Sequence, residues 1–354
     1  MSIFTSPITQ QMIEYKERPA TVEAEASLPF NRVYDRTLDT MADITRATFL
    51  GMSSSLTNPV FPLAASCGSS NCTFEPYSTL GVCLKMKDIS EMLTVVEIKN
   101  STSADWTGGG NRQSAVLEGN GTTAWNASLP NGIHYTTPLS FAMLLAGNDE
   151  SLVFAADRDD RDTAFAHMFA IYSNAGNVSY PGRDRSRDEP WEFRAVEILY
   201  HACVIDYETE FRLGNSTTRQ VAASNAVLGV PGNKPLYNAK CQLTSDLALN
   251  YCDFADADAG FTLLKDPHAP DDPSKFYSFS RVASNMLTYN TYFDLSNSFM
   301  GDSVPGHPAS WMKQNYYALR TAVYGVDYGL RDPQAQLERL EKYFGGMAVA
   351  ASNM

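Results

Sequence analysis

Long apolar runs are missing from this 354-residue chain: the best stretch, Leu139 to Gly147, stops at nine residues, well short of the ~20 that a membrane-crossing helix needs. The opening Met1-Ser2-Ile3-Phe4-Thr5-Ser6-Pro7 has neither a basic start nor an apolar stretch, so no secretory signal is expected there. Basic residues are scarce too. With 27 Lys and Arg against 40 Asp and Glu, a net charge of −13, no cationic stripe forms that could neutralise phosphates, which argues against nucleic acid and against docking on an anionic leaflet.

Catalytic and metal-binding signatures are also lacking. The histidines His134, His167, His201, His268 and His307 are scattered, with no His-Glu-x-x-His and no Cys-x2-Cys to assemble a tetrahedral zinc set. His201, beside Cys203, reads as a hydrogen-bonded core histidine. Gly301-Asp302-Ser303-Val304-Pro305-Gly306 misses nucleophile-elbow spacing, because proline stands where the second glycine belongs. Gly108-Gly109-Gly110-Asn111 lacks the Lys-Ser/Thr of a phosphate loop. Asp253, Asp256 and Asp258 keep no calcium-loop register, and Asp157 to Asp162 reads as a solvated turn in preference to a cation site. No catalytic residue, metal or cofactor is assigned.

What is present is an oxidising-compartment pattern. Six cysteines, Cys67, Cys72, Cys83, Cys203, Cys241 and Cys252, form an even set, better read as disulfides than as metal ligands. Six thiols allow many pairings and the sequence does not choose among them, although Cys241 and Cys252 are placed to close a short local loop. Asn71, Asn100, Asn120, Asn126, Asn177 and Asn215 each open an Asn-x-Ser/Thr glycosylation triplet. In Asn71-Cys72-Thr73 the two features share one site.

With 44% hydrophobic and 19% charged residues the chain is expected to fold compactly. The reading is one domain over 1–354: an N-terminal arm and helix (1–66), a disulfide-bonded, strand-rich core (67–272) and a helical C-terminal part (273–354). Leu38, Met41, Ile44, Thr45, Thr48 and Phe49 predict an amphipathic helix from Asp35 to Met52. Cys67 to Cys83 reads as a cross-linked loop, Asp88 to Ile98 as a strand or short helix, and 99–132 as a decorated loop or loose hairpin. Ser151 to Ala156 and Ala164 to Tyr172 read as buried strands. Glu192 to Leu213 is the clearest strand, with Ile205, Tyr207, Phe211 and Leu213 on one face and Asp206, Glu208, Glu210 and Arg212 on the other; Thr217 to Ala223 is its return partner. Phe276 to Phe299, Trp311 to Tyr324 and Pro333 to Met354 predict helices. The fold class expected is α+β: a central antiparallel sheet with an N-terminal helix and C-terminal helices.

The segment Cys67-Gly68-Ser69-Ser70-Asn71-Cys72-Thr73-Phe74-Glu75-Pro76-Tyr77-Ser78-Thr79-Leu80-Gly81-Val82-Cys83 resembles the hallmark of a fungal (ascomycete) membrane-protein family, that of domain of unknown function 3176, with Phe74 in a tryptophan's place. Ser6 to Tyr15, Ala195 to Cys203 and Gly346 to Met354 are similar to further family segments. The resemblance implies an ectodomain held between membrane spans that lie outside this chain. Two positions depart from it: Met86 and Ile198 stand where the family often has cysteines, and a bond normally joining those two would explain their joint loss.

The functional expectation is therefore a glycosylated extracytoplasmic region, on the extracellular or lumenal side of a plasma or secretory membrane. It would bind, sense or support structure through an extracellular ligand or cell-wall component. The competing class is a secreted or tethered hydrolase, which predicts a pocket lined by acids or by a Ser/His pair.

Overall fold

The computed structural model describes residues 71–101, 122–137, 143–147, 151–173, 192–213, 215–231, 233, 236, 240–243, 250–253, 261–280, 322–324, 330 and 332–352. Its axis is one strand. Phe193–Arg212 forms β8, flanked on one side by β1 (Asn71–Thr73) and β2 (Tyr77–Asp88) and on the other by β7 (Ala164–Ser173) and β9 (Asn215–Ser224). All four neighbours run antiparallel to it, and β6 (Met143–Gly147) extends the sheet beyond β7.

Between Ala195 and Tyr207 every residue of β8 is buried, so this half is covered on both faces. One face carries Val196, Ile198, Tyr200, Ala202 and Val204, which pack with Leu80 and Val82 of β2 and with Leu340, Tyr343, Phe344 and Met347 of the helix Pro333–Ser352. The Tyr200 hydroxyl donates to the Phe344 carbonyl at 2.9 Å, tying strand to helix. The opposite face places Phe193 and Ala195 with Phe169, Ile171, Ile89, Ala127 and Leu129. That cluster seats the sheet formed by β3 (Thr94–Ser101), β4 (Thr122–Ser128) and β5 (His134–Thr137). Further along the same face come Cys203, Ile205 and Tyr207.

The hairpin pairs β10 (Lys240–Leu243) with β11 (Asn250–Asp253) and β12 (Phe261–Lys265) with β13 (Phe276–Ser280) complete the strands described. The described residues are thus mostly antiparallel sheet. Its longest described helix starts where Asp332-Pro333 predicts, with the Asp332 carboxylate accepting from the Gln334 N–H at 3.2 Å. Among the described residues no helix is long and apolar enough to cross a membrane.

Several local expectations are corrected. Ser151 to Ala156 is a turn and not a strand. The N–H groups that a strand would give to a neighbour go to side chains instead, those of Leu152 and Val153 to Glu197 and those of Phe154 and Ala155 to Ser151. The charged run after it is a short helix, Arg158–Thr163, whose first N–H groups are capped by the Asp157 carboxylate. Phe276 to Ser280 is a strand, not the start of a helix: Tyr277 and Phe279 turn to the core in period two, and the three-residue aromatic spacing imitates a helical one. Cys83 is not part of a self-contained loop with Cys67, since it lies within β2. The helix expected at 35–52 and residues 281–299 of the next expected helix lie outside the described residues, as does 311–321, whereas Ala322 to Tyr324 is helical.

Candidate functional site on the central strand

The disulfide is built into the ladder. Cys83 stands opposite His201 and Cys203 opposite Gly81, so the Cys83–Cys203 bond runs diagonally between adjacent strands, with a Cα–Cα distance of 5.9 Å. Cys203 is completely buried. Cys72, on β1, is disulfide-bonded as well. Among the described residues no cysteine is free. The backbone places Cys241 directly opposite Cys252 in the β10–β11 ladder, in keeping with a local loop; Cys67 lies outside the described residues.

Two residues from the disulfide, His201 is buried on β8, its Nδ1 3.2 Å from the Ala202 carbonyl. It is a core histidine, as its sequence setting predicted. Burial, with the Lys85 ammonium, pushes its pKa down from 6.5 to about 4, against the opposing pull of the Ala202 carbonyl and the Asp160 carboxylate. Lys85 itself pairs with Asp160, which also accepts from the Asn225 amide at 2.7 Å.

Four residues earlier, Glu197 has no exposed surface. Its Oε1 accepts from the Ser151 hydroxyl at 2.5 Å and lies 2.6 Å from His167 Nε2, and its Oε2 accepts the Leu152 and Val153 N–H groups at 3.0 Å. Burial alone would raise its pKa, but the bonds from His167, Ser151 and the backbone outweigh it and hold the carboxyl below its ordinary value. Sequence reading passed over this cluster. The available signal was an acid inside the apolar run Ala195-Val196-Glu197-Ile198-Leu199-Tyr200.

Serine, histidine and an acid meet here, yet in the wrong order for nucleophilic chemistry. A triad needs histidine between serine and acid, to take the serine proton. In this cluster the carboxylate is central, and the serine oxygen also accepts the Phe154 and Ala155 N–H groups at 2.8 and 2.9 Å. A second trio repeats the inversion: Ser78 donates to Asp206 Oδ1 at 2.6 Å, and His268 Nε2 lies 3.3 Å from the same oxygen. Both arrangements clamp structure. The acids of 157–162 are likewise engaged by protein groups, Asp157 as helix cap, Asp160 with Lys85 and Asn225, Asp159 with the Val227 N–H, and Asp162 with Arg158 and Arg161. Among the described residues no group of three or more His, Cys, Asp or Glu could hold a metal ion.

The acceptor asparagines separate by environment. Asn71 and Asn215 are exposed, and both pair with Arg212. Asn126 is half-buried in the middle strand of its sheet, with a buried Oδ1 that finds no hydrogen-bond partner. Asn100 belongs to β3, and Asn120 and Asn177 lie outside the described residues.

No family model, no curated protein and no solved structure matches this chain.

Proposed function

We propose that this chain is the glycosylated, disulfide-bonded extracytoplasmic region of a fungal integral membrane protein, related to the family of domain of unknown function 3176, and that it acts by binding or structural association. The observation that carries the reading is the Cys83–Cys203 bond inside the main sheet. Cys203 is sealed in the core, so that bond closes as the sheet assembles, and a persistent structural disulfide belongs to an oxidising compartment. Support for the family relation comes from its two departures, Met86 and Ile198, which occupy facing positions in the β2–β8 ladder. In this reading the fold is α+β, with the expected N-terminal helix added to the sheet and the C-terminal helix. Membrane attachment is through spans outside the chain, and the ligand is an extracellular molecule or a cell-wall component.

Non-catalytic action is favoured by the two Ser/acid/His clusters, in which neither serine has a histidine to take its proton. The test is export of the chain from a eukaryotic host behind a cleavable leader, followed by peptide mapping without reduction. A Cys83–Cys203 cross-linked peptide and no titratable thiol are expected. Secreted, folded protein with Cys83 and Cys203 reduced would overturn the compartment assignment, and release of sugar or peptide fragments from wall preparations would overturn the non-catalytic one.

A further inference from the structure

The ends of β1, β8 and β9 place two acceptor triplets in register. Asn71, Arg212 and Asn215 form one cross-strand row, and Thr73, Glu210 and Thr217 form the row two residues along. Facing residues of an antiparallel ladder share a side of the sheet, so both asparagines and both threonines emerge on the same side. All four are exposed. Because β1 and β9 each run antiparallel to β8, the triplets Asn71-Cys72-Thr73 and Asn215-Ser216-Thr217 point in the same direction. Between them the Arg212 guanidinium and the Glu210 carboxylate form an ion pair at 2.5 Å, which leaves a flat polar ground with no apolar side chain in the rows. Two strand spacings separate the asparagines, about 10 Å.

We infer that the folded protein carries an adjacent pair of glycans, on Asn71 and Asn215, at this end of the sheet, and that Asn126 stays bare although its sequence satisfies the same rule. The inference rests on the extracytoplasmic reading above and adds to it which sites are occupied. A glycosylated asparagine is bonded to sugar through Nδ2, and the sugar must leave into solvent. At Asn71 and Asn215 it can. The Asn126 carboxamide has its oxygen buried and lies in the central strand between Val96 and Thr136. A sugar on Nδ2 there would have to shift the carboxamide out of the setting that buries its oxygen.

The pair also has something to cover. Leu213, at the β8–β9 turn between the two acceptors, is 81% exposed and adopts a left-handed backbone, φ 49°. Carbohydrate on either side would screen this apolar tip from other proteins, which puts the ligand-binding surface elsewhere on the domain.

The experiment is site mapping on folded, secreted protein. Enzymatic removal of N-glycans in heavy-oxygen water converts each occupied asparagine to a labelled aspartate, read peptide by peptide. Label is expected at Asn71 and Asn215 and not at Asn126. Asn71→Gln and Asn215→Gln should each remove one glycan, and Asn126→Gln none. Label at Asn126 in the folded fraction, or either of the other two unlabelled, overturns the pairing while leaving the compartment assignment intact if disulfides are present. Absence of label at every acceptor together with reduced Cys83 and Cys203 overturns both.

Discussion

Met86 and Ile198 face each other directly across the β2–β8 ladder. Val82 turns its N–H and C=O to the Ser352 hydroxyl, so Val82 and every second residue from it on β2 occupy non-hydrogen-bonded positions. At such positions facing Cα atoms stand about 4.5 Å apart, inside the range that a disulfide spans. The double variant Met86→Cys/Ile198→Cys should therefore close a second cross-strand bond in an oxidising host and show no titratable thiol. Ile198→Cys alone should leave one. Because Cys83–Cys203 already closes the long loop, the new bond adds only a short one, contributing about 2–3 kcal/mol on the chain-entropy model. Lost packing from Ile198, which is fully buried, offsets that by a similar amount. Thiol count, rather than melting temperature, is the decisive readout.

Glu197→Gln should destabilise the fold by about 1–3 kcal/mol in urea titration, the cost of leaving buried donors without the carboxylate acceptor they now share. The amide can present one acceptor oxygen, while its NH2 group would confront donors from Ser151, His167 or the Leu152 and Val153 backbone. The pH dependence follows from the lowered pKa in the fold. The unfolded chain takes up this proton at a higher pH, so the carboxylate's contribution is complete above the ordinary carboxyl value and is lost as pH falls through the folded one. The variant should lack that acid limb. A wild-type-like midpoint in Glu197→Gln would show that the turn 151–155 holds without it.

These residues show what the sequence made legible. The long strand was readable because Ile205, Tyr207 and Phe211 alternate with Asp206, Glu208 and Glu210 toward the end of β8. Its inner half, buried on both faces, has no such alternation, and there Glu197 alone marked a special site. The turn at Ser151 read as a strand because Leu152, Val153 and Phe154 have strand composition, while the carboxylate that claims their N–H groups lies more than 40 residues away in sequence. The disulfide map was hidden for the same reason, with 120 residues between Cys83 and Cys203. Local propensity reports local competition, and these sites are decided by distant partners.

His201 gives a second pH effect of the same sign. Its folded pKa of about 4 lies below the ordinary 6.5, so between those values the unfolded chain binds a proton that the folded chain refuses. Stability is complete above pH 6.5 and declines as pH falls toward 4, by about 3 kcal/mol across the window. His201→Gln keeps a donor for the Ala202 carbonyl and cannot titrate. Its urea midpoint should change less than the wild type's between pH 7 and pH 5. Equal changes in the two proteins would mean that the buried imidazole does not set this limb.

The end of the C-terminal helix closes on β2 through one hydroxyl. Ser352 Oγ accepts the Val82 N–H at 2.8 Å and lies 3.0 and 2.9 Å from the Val82 and Ala348 carbonyls, to which its proton can be given. Ser352→Ala should lower stability by about 1–3 kcal/mol, since it strands a buried backbone donor. Gly81, next in the strand, makes that approach sterically possible. A Cβ there would stand 2.5 Å from Ile205 Cδ1 and 2.8 Å from Ser352 Oγ, so Gly81→Ala should cost about 1–3 kcal/mol through overpacking. The two effects share an atom. Removing Oγ relieves one of the two clashes, and the double variant should be less destabilised than the sum of the singles by about 0.5 kcal/mol or more. Strict additivity in that cycle would mean that Gly81 serves the sheet through Ile205 alone and that the helix end does not depend on it.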